Sequence, residues 1–174
     1  MELHMQSHHF ARRTPDWRVA AIAGLAAGVI FLILEVLATW ILGTSPWAPL
    51  RMTAAIVMGH SVSSQSATFD PSVTLVALVV HFALSIIFGL ILAAIMASFS
   101  LDSSIGMASL AGAIFGLVVY GLDFYGMTRV FPWFGDARSA ASLATHLVFG
   151  LVVAITYMKL ERKLDNLGAT PIKR

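Results

Sequence analysis

Glu35 and Asp123 interrupt long apolar runs, and each stands seven residues after the second glycine of a Gly-x-x-x-Gly pair: Gly24 and Gly28 in one case, Gly112 and Gly116 in the other. A carboxyl group inside a membrane-spanning helix is costly, and where one occurs it marks an ion path, a proton relay or a paired polar contact. Two further apolar runs carry His81 and His146. Carboxylates and imidazoles are the groups from which intramembrane proton and cation sites are made. Two imidazoles on different helices at similar depth also suit b-type haem or a transition metal. A third chemistry is structural: a histidine donating to a carboxylate locks neighbouring helices, at roughly 0.6 to 2 kcal/mol per bond in a membrane.

His60, two residues after Met58, offers imidazole beside thioether, a pair that suits copper, although an exposed place on a short interfacial segment is the simpler account. No phosphate-binding glycine loop, nucleophile elbow or zinc-protease motif is present. Ser85 and Ser142, each one turn from a histidine, are the candidate nucleophiles and are expected to bond helix backbone instead. The sequence therefore reads as non-enzymatic.

The elements that position these groups follow from composition. With 58% hydrophobic and 11% charged residues among 174, and a mean hydropathy of +0.84, the chain is far more apolar than a water-soluble globule, in which about a quarter of residues are charged. There is no cysteine, which excludes disulfides and thiolate ligands. The net charge of +2 comes from basic residues at the chain ends rather than from a patch with aromatics, which argues against a nucleic-acid partner. Crossing a hydrocarbon core takes roughly 20 apolar residues. Four segments qualify: Val19 to Leu42, Ser72 to Ala97, Ile105 to Tyr125 and Ala140 to Lys159.

Eight of the eleven Lys and Arg precede the first segment or lie at or beyond the end of the fourth; Arg51, Arg129 and Arg138 are the exceptions. The positive-inside rule then places both termini in the cytoplasm. The expected organisation is a cytoplasmic tail over 1–18, a single four-helix domain over 19–160 with an outer interfacial segment at 43–70, and a second tail over 161–174. The first tail holds His4, His8 and His9 in loose spacing. Within 43–70 the stretch Met52 to Met58 is too short to span and reads as a helix lying on, or dipping into, the outer surface. Trp47 and Trp133 are expected in the outer aromatic belt, with Arg51 and Arg138 reaching lipid phosphates. Asp70 before Pro71 should start the second helix, and Asp102 with Ser103 should cap the third.

An internal repeat is also visible. Gly24, Gly28 and Glu35 map onto Gly112, Gly116 and Asp123 with one constant offset. Pro46, Trp47 and Arg51 find counterparts in Pro132, Trp133 and Arg138, and Phe-Gly-Leu recurs at Phe88 and Phe149 with a histidine upstream of each. The expected fold is all-α: four transmembrane helices as two hairpins in the same orientation, related by a pseudo-two-fold axis along the membrane normal. If the first and third spans met through their glycine faces, the two carboxyl groups would approach across that axis, and one would be protonated or neutralised by a cation. Repeat order and depth pair Glu35 with His81 and Asp123 with His146, with Glu35 roughly 10 Å from the outer end of its helix.

Ser45-Pro46-Trp47, Arg51-Met52, Ala67-Thr68-Phe69-Asp70, Phe124-Tyr125-Gly126 and Phe131-Pro132-Trp133-Phe134 together resemble a family of small, functionally uncharacterised four-helix proteins of bacterial inner membranes. The resemblance covers the four spans and outer loops, and implies this topology and a bacterial inner membrane. It implies no activity, substrate or functional residue. On sequence the chain reads first as a structural or accessory component, associating in the bilayer with itself or with a larger complex through its glycine faces and needing no cofactor. A proton or cation conductor or carrier using Glu35, Asp123, His81 and His146 is one alternative. A haem b or metal protein ligated by His81 and His146 is another.

Overall fold

The computed structural model describes residues 14–168, so the expectations for His4, His8 and His9 and for Lys173 and Arg174 lie outside them. The described chain is all helical, with α1 at Trp17–Ile41, α2 at Ala48–Met58, α3 at Pro71–Phe99, α4 at Ile105–Gly121 and α5 at Ala140–Gly168. Four helical stretches are long and apolar enough to cross a membrane: α1, α3, α4 with its continuation to Arg129, and α5 as far as Leu164. Large apolar side chains such as Ile22, Ile33, Leu75, Val79, Leu110 and Leu117 point outward, as lipid-facing side chains do. The helix α5 runs past Lys159 to Gly168.

Local chemistry sets the helix starts. The Asp16 carboxylate accepts from the amides of Arg18 and Val19 at 2.9 and 3.1 Å, which starts α1 two residues before the apolar run suggests. Asp70 does the same for α3, accepting from Ser72 and Val73, while Pro71 fills the first helical position where an amide would be wasted. The Ser72 hydroxyl, then the Val73 amide, hold the Asp70 carboxyl below its ordinary pKa, and Arg51 adds a smaller Coulombic pull. The cap of α4 is Ser104, whose hydroxyl accepts from the Met107 amide at 3.1 Å, rather than Asp102 or Ser103. Asp102 lies too early to reach that turn, and its carbonyl accepts from Arg162 of α5 at 2.6 Å instead.

Glycine decides which helices touch. The helix α1 packs against α3 and α5, and α4 packs against α5, whereas α3 and α4 contact each other sparingly. A Cβ on Gly24 would lie 2.5 Å from the Ser85 carbonyl oxygen and 3.2 Å from Gly89 Cα, and one on Gly28 would lie 2.6 Å from the Ser85 hydroxyl. On α4, a Cβ on Gly112 would strike the Gly150 backbone, and one on Gly116 the His146 backbone. Small residues of this kind let backbones approach where lipid provides no hydrophobic drive between helices. The two glycine faces are thus consumed by α3 and α5. They neither join α1 to α4 nor remain open for a second molecule, as the sequence pattern had suggested. Gly-x-x-x-Gly specifies a close neighbour without naming it.

Two apolar clusters follow. Near the terminal end, Ala20, Ala23, Leu92, Met96, Val153 and Tyr157 are almost fully buried together. At the opposite end, α2 lies across the start of α3 and packs Leu50, Ala54 and Ala55 onto Val73 and Ala77. Arg51 faces inward with them, only 5% exposed, and donates to the carbonyl oxygens of Thr68 and Val62 and to Gln65 Oε1. It therefore folds the 59–70 loop around itself rather than reaching lipid phosphate. The guanidinium satisfies several carbonyls that a turn-rich loop leaves free.

Candidate functional site

Between these clusters the bundle encloses a cavity of about 640 Å³, and Glu35, His81, Asp123 and His146 all line it. Each of the four spanning helices contributes one of these groups. The cavity is roofed by α2 and by a short 3₁₀ helix at Pro132–Ala137, which meet where Trp133 Nε1 donates to the Met52 carbonyl oxygen at 3.1 Å. His60 stacks on the Trp133 ring at 5.1 Å. Trp133 thus latches the roof rather than serving only as a belt residue. Trp47 packs on Phe69 beside it.

Asp123 sits where α4 loosens. Residues Leu122–Gly126 form a π-helical turn, closed by the Met127 amide donating back to the Leu122 carbonyl oxygen. Such turns re-aim side chains and recur at functional positions. Here the turn presents Asp123 Oδ2 to His146 Nε2 at 3.2 Å, as expected for this pair. The other nitrogen, Nδ1, lies 2.6 Å from the Ser142 carbonyl oxygen, which can only accept. A proton is therefore fixed on Nδ1. One further proton must lie between Nε2 and Asp123, held either as an imidazolium facing a carboxylate or as a neutral acid facing imidazole.

Glu35 does not pair with His81. Its Oε1 lies 2.6 Å from the Thr145 hydroxyl, whose single proton goes either there or to the Ser142 carbonyl oxygen at 2.9 Å. His81 instead places Nε2 2.8 Å from the Gly28 carbonyl oxygen. The cause is the position of α1, which has α3 on one side and α5 on the other, so its polar groups are divided between them. Polar contacts consequently run from Asp123 through His146, the Ser142 carbonyl oxygen and Thr145 to Glu35, with the Thr145 proton choosing between Ser142 and Glu35.

The Phe31 ring touches both imidazoles, at 5.7 Å from His81 and 4.9 Å from His146. With both nitrogens of His146 engaged and a phenyl ring against each histidine, the arrangement does not fit bis-histidine haem ligation. Among the described residues no group of three or more His, Cys, Asp or Glu is placed to hold a metal ion. His60 and Met58 are both exposed and do not line the cavity. Arg138 donates to the Phe124 carbonyl oxygen at 2.6 Å and lies over the Tyr125 ring at 4.2 Å, which ties the π turn to the roof. Ser85 bonds its own helix at His81, as anticipated, whereas Ser142 reaches back to the Ala137 carbonyl oxygen ahead of α5.

Three contributors escaped the sequence reading. Thr145 adjoins His146 and was detectable as a polar residue inside an apolar run. Phe31 and the roof residue Asp136 carried no such signal, since phenylalanine is common here and Asp136 falls in a loop. Comparison with protein-family models, curated proteins and solved structures gives no significant match. The functional reading rests on the site itself.

Proposed function

We propose that the protein handles a proton or another cation within the membrane, as a small conductor or carrier, and that the cavity is its binding site. The observation that carries this reading is the run of polar contacts joining Asp123 to Glu35 through the Ser142 to Thr145 to His146 stretch of α5. It holds at least one proton that a cation arriving at Asp123 would displace, and binding at one acid alters the bonds offered to the other. Interactions of this kind are strong in a low-dielectric interior.

Two finer readings belong with it. The chain reads as two hairpins related by an approximate two-fold axis along the membrane normal, supported by matching contacts: Gly24 on Gly89 with Gly112 on Gly150, and Gly28 on Ser85 with Gly116 on His146. The termini read as cytoplasmic in a bacterial inner membrane, which puts the cavity towards the outer face. In support, Arg18 at the start of α1 and Lys159, Arg162 and Lys163 of α5 gather at one end, against Arg51, Arg129 and Arg138 at the other, where Arg51 is buried.

The accessory reading takes the same bonds as helix locks. A lock, however, gives no reason for a cavity of about 640 Å³ at the acids. Reconstituted vesicles separate the two. Proton or cation flux should be present for the wild-type chain and should fall when Glu35→Gln and Asp123→Asn are combined. Flux that is absent, or indifferent to both substitutions, would leave the acids with a structural role alone.

A further inference from the structure

The cavity says more than that a cation binds. Its volume of about 640 Å³ lies in the range of small-molecule sites, roughly 300 to 1,000 Å³, and far above the roughly 30 Å³ that one water occupies. A bare metal ion would need several converging oxygen or nitrogen ligands. Among the described residues no group of three or more His, Cys, Asp or Glu is placed to supply them.

The lining has a chemical signature of its own. It includes three carboxyl groups, Glu35, Asp123 and Asp136, and neither lysine nor arginine. It also includes six phenylalanines: Phe31, Phe88, Phe124, Phe131, Phe134 and Phe149. Aromatic faces attract cations through their quadrupoles and simultaneously bury hydrocarbon. Carboxylates surrounded by phenyl rings, with no lysine or arginine beside them and a displaceable proton at His146 and Asp123, make a site for a positive charge that carries its own apolar body.

Access agrees with that chemistry. Exposed lining residues mark two ways in: Leu84 of α3 and Leu122 just beyond α4 at the side, and Leu42, Thr44, Asp136 and Ser139 at the roof. The side opening lies between α3 and α4, the two helices that scarcely touch. An amphiphile dissolved in the bilayer would meet that opening, and Asp136 at the roof would meet one arriving from water.

The geometry points to an amphiphilic organic cation, an amine or quaternary onium with a hydrocarbon body, as the occupant of the cavity. This inference rests on the cation-handling function above and names its substrate class. On entry the positive charge lies against Asp123 and Glu35 while the body packs among the phenyl rings. The proton between Asp123 and His146 leaves to water, so one positive charge replaces another and the site remains balanced.

The test is binding of tetraphenylphosphonium and tetraphenylborate, which share size and shape but carry opposite charge, to the purified full chain by equilibrium dialysis at several detergent concentrations. The phosphonium should bind saturably and the borate about tenfold more weakly or worse. Glu35→Gln with Asp123→Asn should weaken the phosphonium by a similar factor, and heats measured in two buffers of different ionisation enthalpy should report proton release on binding. Equal binding of both ions, or phosphonium binding indifferent to the acids, would overturn the inference. The comparison of the two ions on the wild-type chain needs no variant, so it stands even if the double substitution fails to fold. If neither ion binds while acid-dependent proton or alkali-cation flux persists, the substrate class falls and the function above survives. If the phosphonium binds but no flux is found, the reverse holds.

Discussion

Substituting Gly116 and Gly121, five residues apart on α4, separates helix contact from helix propensity. An alanine Cβ at Gly121 meets nothing within 4 Å, and the backbone there is ordinary α-helix with φ of −62°. Gly121→Ala should therefore collect only the propensity gain, about 0.4 to 1 kcal/mol. A Cβ at Gly116 would fall closer to the His146 carbonyl oxygen than real Cβ atoms come, with His146 C at 2.9 Å and Leu147 Cα at 3.0 Å behind it. These are backbone atoms of a packed helix, so no side chain can swing away. Overpacking of this kind costs about 1 to 3 kcal/mol, and the rigid wall argues for the upper part of that range. Set against the same propensity gain, Gly116→Ala should lose about 2 kcal/mol, which separates the two variants by roughly 3 kcal/mol. Unfolding of the detergent-solubilised protein by a denaturing detergent, followed by circular dichroism, would measure the difference. Gly150→Ala should cost a similar amount, and the double variant less than the sum, because Gly150 meets Gly112 and Gly116 across the same contact. If Gly116→Ala proved as stable as Gly121→Ala, the packing of α4 on α5 described above would be wrong.

Three other outcomes are expected. Arg51→Met removes donors to Thr68, Val62 and Gln65 from a buried site and should destabilise the chain by about 1 to 3 kcal/mol, with faster proteolysis in the 59–70 loop; cleavage and stability equal to wild type would restore a lipid-facing arginine. Trp133→Phe keeps the ring but loses the bond to Met52, and should speed amide exchange in α2 and the 132–137 helix, at a cost of about 0.5 to 1.5 kcal/mol; unchanged exchange would mean that the roof is held otherwise. Because the Asp70 carboxyl has a depressed pKa in the folded chain, its contribution to stability is complete above its ordinary value of 3.8 and is lost as pH falls through the lower folded value. Asp70→Asn keeps a capping oxygen without titrating, so wild type should lose stability relative to it only in that acid window; parallel curves would show that Asp70 does not make the cap.

The spans were legible because length and hydropathy suffice: about 20 apolar residues admit one solution in a bilayer. Caps were legible where Asp precedes Pro, as at Asp70, and less so at Ser104, where three polar residues in a row compete for one turn. Partner choice was not legible. Gly28 and Gly116 announce close approach, but whether the neighbour is α3, α4 or α5 depends on the whole bundle. Arg51 was misplaced for a related reason. A lone arginine in an outer loop resembles a lipid anchor until the loop carbonyls that surround it are in view.

The site itself turns on a difference that the repeat conceals. Aligning Phe88 with Phe149 places His81 opposite Ser142 and Ser85 opposite His146, so the two halves carry histidine and serine one turn apart in exchanged order. In the second half the histidine therefore stands where its own hairpin brings Asp123, and the pair forms at 3.2 Å. In the first half the equivalent place holds Ser85, which spends its hydroxyl on the His81 carbonyl oxygen, and the His81 ring turns to Gly28. Glu35 is left without an imidazole from its own hairpin and reaches Thr145 on the other. An exact repeat would have made two separate acid and histidine pairs, one per hairpin. The exchange instead brings both acids onto Ser142, Thr145 and His146 of α5, and that convergence couples them.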